Sequence, residues 1–283
     1  MDDAPWTLRE PCAGTAALTA HHLGARTPLV PAQGSKWAVR KDLARLAHTL
    51  GFSGGPARVR LTDPGPEGVT LKVVFDAALR ARALEHLRAL VQDDPKETYV
   101  RLHRGHVPCD PARRAAEHLF LMRLAFSGKA VLVRDGRWVA PGFNRTSAYG
   151  TPESPRFGPV RPLLPTLVRA LEARCDIAGT CVEVACCEAE FPTGSVKHTL
   201  VYIDPPYEGT TAFARDHLSR TDVFALARAW REAGAAVIVA EGAPLAELLS
   251  AGWEARAMHT GVHGASPFRG KQAEWVTFCR AAA

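Results

Sequence analysis

Residues 199–203, Thr-Leu-Val-Tyr-Ile, form an unbroken apolar run that passes directly into Asp204-Pro205-Pro206-Tyr207. A run this short reads as a strand, and the lack of alternation means that both of its faces are covered. Strands covered on both faces belong to parallel sheets with helices above and below. Such sheets bind ligands outside the carboxyl ends of their strands, and the acidic tetrapeptide lies at that end.

The flanking sequence keeps the same rhythm. Cys181–Ala185 reads as a short strand, 222–233 as a helix, 235–240 as a second buried strand, 245–251 as a short helix and 273–279 as a closing strand. At the other end, 6–9 is extended, 10–14 is a tight turn of small residues, and 15–23 is a helix stopped by Gly24. A Pro/Gly-rich loop over 27–35 precedes a helix over 36–50 with Val39, Leu43, Leu46 and Leu50 at helical spacing. The strand 57–61 then runs into Thr62-Asp63-Pro64-Gly65. Between the two ends the texture changes. Helices are expected over 73–91, 112–126 and 163–174, with a polar segment between the first two, a hairpin over 129–139 turning at Asp135-Gly136, and a loop over 141–162. The expectation is an α/β fold: a Rossmann-like sheet with helices on both faces from residues 1–74 and 176–283, and an inserted, mostly helical region over 75–175.

Charge and cysteine content narrow the chemistry. Lys and Arg number 35 against 29 Asp and Glu, a net charge of +6 that suits a polyanionic partner, although Arg enrichment from a biased genome would produce the same excess. The seven cysteines are odd in number and contain no Cys-x-x-Cys pair, so neither a disulfide framework nor a metal site is expected. No apolar run approaches the roughly 20 residues of a membrane helix, and Met1-Asp2-Asp3 does not resemble a signal peptide. A cytoplasmic protein is the expectation.

Asp204–Tyr207 carries the sharpest chemical reading. An exocyclic aromatic amine is a poor nucleophile, because its lone pair is delocalised into the ring. A carboxylate and an adjacent main-chain carbonyl accept its two N–H bonds and draw it toward tetrahedral geometry. Proline offers a carbonyl on a rigid backbone with no competing N–H, and a tyrosine ring stacks on a base. A plain strand-end turn would use the same residues. Glu10-Pro11-Cys12-Ala13-Gly14-Thr15-Ala16 places small residues between a strand and a helix, where a ligand approaches the backbone closely. Asp63 ends the next strand, a place where an acidic residue commonly binds ribose hydroxyls, or simply forms a turn before Pro64.

Together these segments resemble the Dam-type family of DNA adenine methyltransferases. The family tetrapeptide Asp-Pro-Pro-Tyr is intact at 204–207, and its cofactor loop, Glu-Pro-Phe-x-Gly-x-Gly, is similar to residues 10–16, with Cys12 for the aromatic and Ala16 for the second Gly. Phe126-Ser127-Gly128-Lys129, Gly136 and Gly142-Phe143-Asn144-Arg145 look like the family's segment before the catalytic strand, and 273–278 like its last strand. The family's Gly-Gly-Lys motif precedes the cofactor loop; here its nearest match, Gly34-Ser35-Lys36, follows it, which suggests a rearranged order.

The resemblance implies a Rossmann-like methyltransferase sheet and transfer of a methyl group from S-adenosylmethionine to the N6 amino group of adenine in duplex DNA, the base being flipped out of the helix. Asp204, Pro205, Pro206 and Tyr207 would be catalytic. Glu10, Pro11, Cys12, Ala13, Gly14, Lys36, Asp63 and Asp204 would hold the cofactor. DNA contacts would fall to Lys129, Arg134, Arg137, Asn144 and Arg145, interleaved with Trp138 and Phe143, with a second basic loop over 259–271. A cognate restriction endonuclease is a candidate partner, in a bacterial, archaeal or phage-infected cell. The alternatives are a methyltransferase acting on RNA adenine or another amino group, and a DNA-binding relative without catalysis.

Overall fold

A computed structural model describes residues 5–14, 16–23, 35–125, 131–145, 180–205, 218–258 and 274–281. The chain divides into two compact units. The first takes in the described residues up to Thr62 and from 180 onward, and the second runs from Asp63 to Arg145.

The first unit is built on a seven-stranded sheet in the order β5-β2-β1-β6-β7-β9-β8. Its strands are β1 (Thr7–Pro11), β2 (Arg58–Thr62), β5 (Cys181–Ala185), β6 (Thr199–Ile203), β7 (Ala236–Glu241), β8 (Glu254–Met258) and β9 (Glu274–Cys279). The pairs β1–β2, β2–β5, β1–β6 and β6–β7 are parallel, while β9 runs antiparallel to both β7 and β8. The fold is therefore mixed α/β with a mostly parallel sheet flanked by helices. The expected strands at 57–61, 181–185, 199–203, 235–240 and 273–279 all form, within a residue or so. Every residue of β6 is buried, as its uninterrupted apolar run requires.

Strand pleat sorts the core. Val201 and Ile203 of β6 and Val237 and Val239 of β7 share a cluster with Val223, Leu226, Ala227 and Trp230, the apolar stripe of α7 (Arg220–Glu232). A capping box between Ser219 and Asp222 starts that helix. The opposite face of the strands carries Leu8, Leu200 and Ile238, also fully buried. The helices α1 (Ala17–His22) and α2 (Ser35–Thr49) pack on each other and bury Leu18, Ala20, Leu43 and Leu46. A last short helix, α8 (Ala246–Ser250), precedes β8.

The crossover from β5 to β6 is unusual, because residues 186–198 make it without a helix. Side chains hold the irregular segment down. Arg60 on β2 grips Glu190 through two bonds, Nε to Oε2 at 2.7 Å and Nη2 to Oε1 at 2.5 Å, and reaches Glu183 at 2.9 Å. The Trp230 indole N–H donates to the Glu190 carbonyl, and the Val196 N–H to the Ala233 carbonyl. The Arg9 guanidinium lies 5.1 Å from the Trp230 ring centre. Bidentate Arg–carboxylate pairing is a strong and directional contact. It substitutes here for the apolar stripe a crossover helix would bring.

The second unit holds α3 (Pro66–Phe75), α4 (Ala77–Leu90), α5 (Pro95–Leu102) and α6 (Pro111–Leu124), with a hairpin of β3 (Leu132–Arg134) and β4 (Arg137–Val139). The hairpin turns where expected, with Asp135 and Gly136 at φ 50° and 67°, values that a two-residue primed turn needs. The expected single helix over 73–91 is two helices. Asp76 is extended at φ −101°, ψ 116°, and its carboxylate accepts the Leu79 N–H, capping α4. The polar segment between the expected helices contains α5 (Pro95–Leu102), capped by Asp94 with Pro95 as its first residue. Packing of α3 on α6 draws residues 63–74 into this unit, so the break falls at Thr62 and not at 74. The expected helix over 163–174 lies outside the described residues. Among the described residues, no helix is long and apolar enough to cross a membrane.

Candidate active site

In the sheet, chain order runs outward from β1 to β2 and β5 on one side, and through β6 and β7 on the other. The reversal between β1 and β6 is a topological switch point, the crevice where open α/β sheets hold ligands. Glu10 and Pro11 end β1, and Asp204 and Pro205 directly follow β6. Arg9 pairs with Val201 in register, so Glu10 stands beside Tyr202 one row on, with Asp204 two residues beyond. The fold thus brings together two of the segments singled out in the sequence. Pro206 and Tyr207 lie outside the described residues; Asp204 is half-buried and Pro205 buried.

Glu10 is 1% exposed. Its Oε1 accepts the Thr19 N–H at 2.6 Å. This is the third residue of α1, whose N-cap, Ala16, has no side chain able to cap. A carboxylate nine residues upstream therefore supplies the missing acceptor. Burial pushes the Glu10 carboxyl up to about 7, and the charge of Asp204 adds to the rise against the opposing bonds from Thr19.

The turn after β1 folds tightly. Ala13 donates to the Thr62 carbonyl at 2.9 Å and Ala16 to the Ala13 carbonyl at 2.6 Å. Cys12, Gly14 and Ala16 adopt φ of 65°, 47° and 48°. The backbone is left-handed at alternate residues, which explains why a loop of this design favours glycine. Cys12 and Ala16 occupy such positions at a cost of about 1 kcal/mol each. Lys36 is the second residue of α2. The described groups fit a cationic ligand. Glu10 and Asp204 are both acidic, and among the described residues no salt bridge engages Glu10.

Asp63 follows directly on β2. Its Oδ1 accepts the Gly65 N–H at 2.8 Å, so the turn-forming role is realised. Gly68 is essential to this approach, since a Cβ there would lie 2.1 Å from the Asp63 carbonyl oxygen. Glu67, in the first turn of α3, is driven up to about 8, by burial first and then by Asp63. Its Oε1 faces Nε2 of fully buried His118 at 3.8 Å. The Thr70 hydroxyl donates to the Pro66 carbonyl and lies 2.8 Å from His118 Nδ1. The sequence offered no hint of this buried cluster, whose members come from two helices 48 residues apart in the chain.

The basic residues expected to meet DNA belong to the second unit. Arg134 and Arg137 face each other across the exposed hairpin tip, and Arg145 is exposed, while Lys129 lies outside the described residues. Like charges directly opposite on a hairpin repel one another, an arrangement an anionic partner would relieve. Asn144 is partly buried, and its N–H donates to the Leu124 carbonyl. Trp138 is not part of this surface. It is fully buried, stacked on His118 with ring centres 6.0 Å apart, and its indole N–H donates to Glu117 at 2.8 Å. Exposed Arg104 and His106, distant in sequence from the hairpin, are laid beside β4 by main-chain bonds to Trp138 and a bridge to Arg137. Among the described residues no group of three or more His, Cys, Asp or Glu side chains could hold a metal ion. The chain matches no known protein-family model, and no curated protein is significantly similar to it.

Proposed function

We propose that the protein transfers a methyl group from S-adenosylmethionine to the exocyclic N6 amino group of adenine in DNA. The observation that carries this reading is the convergence of Asp204-Pro205 with the Glu10–Gly14 turn at the switch point of the sheet. The same geometry argues against a dinucleotide-binding oxidoreductase. That fold uses an all-parallel order and a Gly-x-Gly-x-x-Gly turn; here an antiparallel β9 separates β7 from β8, and the turn holds one glycine.

The sulfonium supplies an activated methyl group, so the protein's task is mainly positioning. The Glu10–Gly14 turn would hold the cofactor, with Lys36 as a further candidate contact and Asp63 as the candidate for its ribose hydroxyls. The Asp204 carboxylate and the Pro205 carbonyl would accept the two N–H bonds of a flipped adenine and so localise the lone pair on its nitrogen. By its place in the tetrapeptide, Tyr207 would be the residue to stack on the base. No covalent intermediate on the protein is required. The arginines of the hairpin tip neutralise phosphates.

The test is methyl transfer from labelled S-adenosylmethionine to unmethylated duplex DNA by the wild-type chain and by Asp204→Ala. The variant should lose turnover, by a factor of about 1,000 or more, while still binding cofactor. Near-normal methylation by the variant would refute the assignment of Asp204.

A further inference from the structure

Glu10 is placed where a carboxyl group meets an unusual set of neighbours. Across from it on β2 stands uncharged Leu61, and on β6 Tyr202, followed by Asp204. From α1 it receives the Thr19 N–H. The titratable groups of that helix, His21 and His22, are in its last turn, and His22 lies edge-on to Trp6, ahead of the start of β1. From α2, Arg40 and Lys41 bear on His21. The charge that bears on Glu10 is that of Asp204, and it is repulsive.

Two neighbouring acids, one of them fully buried, do not both ionise readily unless a cation joins them. S-adenosylmethionine is such a cation at its sulfur, whereas the thioether left after methyl transfer differs from it by that one charge. We propose that Glu10 makes the site read this difference: binding of the sulfonium form drives a proton from the Glu10 carboxyl to solvent, and binding of the thioether leaves the proton in place. The inference rests on the cofactor reading above. The step breaks only the carboxyl O–H bond, leaving a carboxylate on Glu10 and a proton in the buffer. Because Glu10 changes charge near neutral pH, the site prefers the sulfonium more strongly as pH rises. A one-unit shift in a proton equilibrium corresponds to a tenfold change, so about tenfold is the expected gain in preference between about pH 6 and pH 8.

Titration calorimetry at about pH 6.5, in two buffers of different ionisation heat, counts the protons released when each ligand binds. Glu10→Gln is the matched variant. Its amide oxygen still accepts the Thr19 N–H, so α1 stays anchored, and circular dichroism checks the fold. Wild type should release a substantial fraction of a proton with S-adenosylmethionine and almost none with S-adenosylhomocysteine, and the ratio of their Kd values should grow about tenfold from pH 6 to pH 8. In Glu10→Gln both effects should vanish. Equal release with the two ligands in wild type, binding of S-adenosylmethionine without release, or release persisting in Glu10→Gln would each overturn the proposal alone. If wild type binds neither ligand, the methyltransferase reading falls, and this proposal with it.

Discussion

Replacing Glu67 by Gln should remove a loss of stability that the second unit suffers between pH 6.5 and 8. In the folded chain, burial and the neighbouring Asp63 raise this carboxyl to about 8, whereas an unfolded Glu ionises near 4.3. The folded state holds the proton more tightly, so the group's contribution is fully present below the unfolded value. It is lost as pH climbs through the folded one. His118 acts in the opposite sense. Burial holds it down to about 3 against an unfolded value near 6.5, so its cost appears as pH falls below 6.5. Between about 4.3 and 6.5 the two slopes oppose each other, and above 6.5 Glu67 acts without that opposition. At 1.36 kcal/mol per pH unit, about 1.5 units amount to about 2 kcal/mol. Glu10, in the other unit, is raised less far, so its own loss over this window is the smaller one. Urea unfolding at pH 6.5 and 8, followed by tryptophan fluorescence and far-ultraviolet circular dichroism, reads the effect. Wild type should lose about 2 kcal/mol more across the window than Glu67→Gln, which keeps only the smaller loss due to Glu10. An equal loss in both proteins would refute the claim that Glu67, largely shielded from solvent, is held as a neutral acid.

The remaining predictions concern the turns and the hairpin. Ala16→Gly relieves a left-handed alanine and should stabilise the protein by about 0.5–1 kcal/mol in thermal melting. Gly68→Ala would press a methyl group against the Asp63 carbonyl; a loss of about 2–3 kcal/mol is expected, and an unchanged melting temperature would contradict the geometry. Arg137→Ala should weaken DNA binding at every sequence alike and lower the slope of log affinity against log salt by about 1, while cofactor affinity stays constant.

The sheet was legible in the sequence where the chain is buried on both faces. The runs at 199–203 and 235–240 have one physical interpretation, and their positions in the structure agree with it. β8 (Glu254–Met258) was not legible, because its exposed, charged edge positions erase the apolar pattern. The break between α3 and α4 was hidden because apolar spacing continues through Asp76, leaving only a cap residue to mark it. The opposite failure hid α5, where Asp94-Pro95 announces a helix but the eight residues bury only Thr98, Tyr99 and Leu102. Within the candidate site, residue chemistry and motif likeness singled out Asp204 and the Glu10 turn, and the sheet brings both to one crevice. It did not reveal that Glu10 anchors α1, since that bond joins residues on different elements. The hairpin shows the same limit. Composition groups Trp138 with its basic neighbours, but the pleat turns it into the core beside His118 and leaves Arg134 and Arg137 outside.

The most direct test of the central claim is mass analysis of nucleosides from unmethylated duplex DNA after incubation with the protein and S-adenosylmethionine. The account predicts N6-methyladenine as the product. Methyl groups found on cytosine alone, or an unmodified digest from protein shown to bind S-adenosylmethionine, would contradict it.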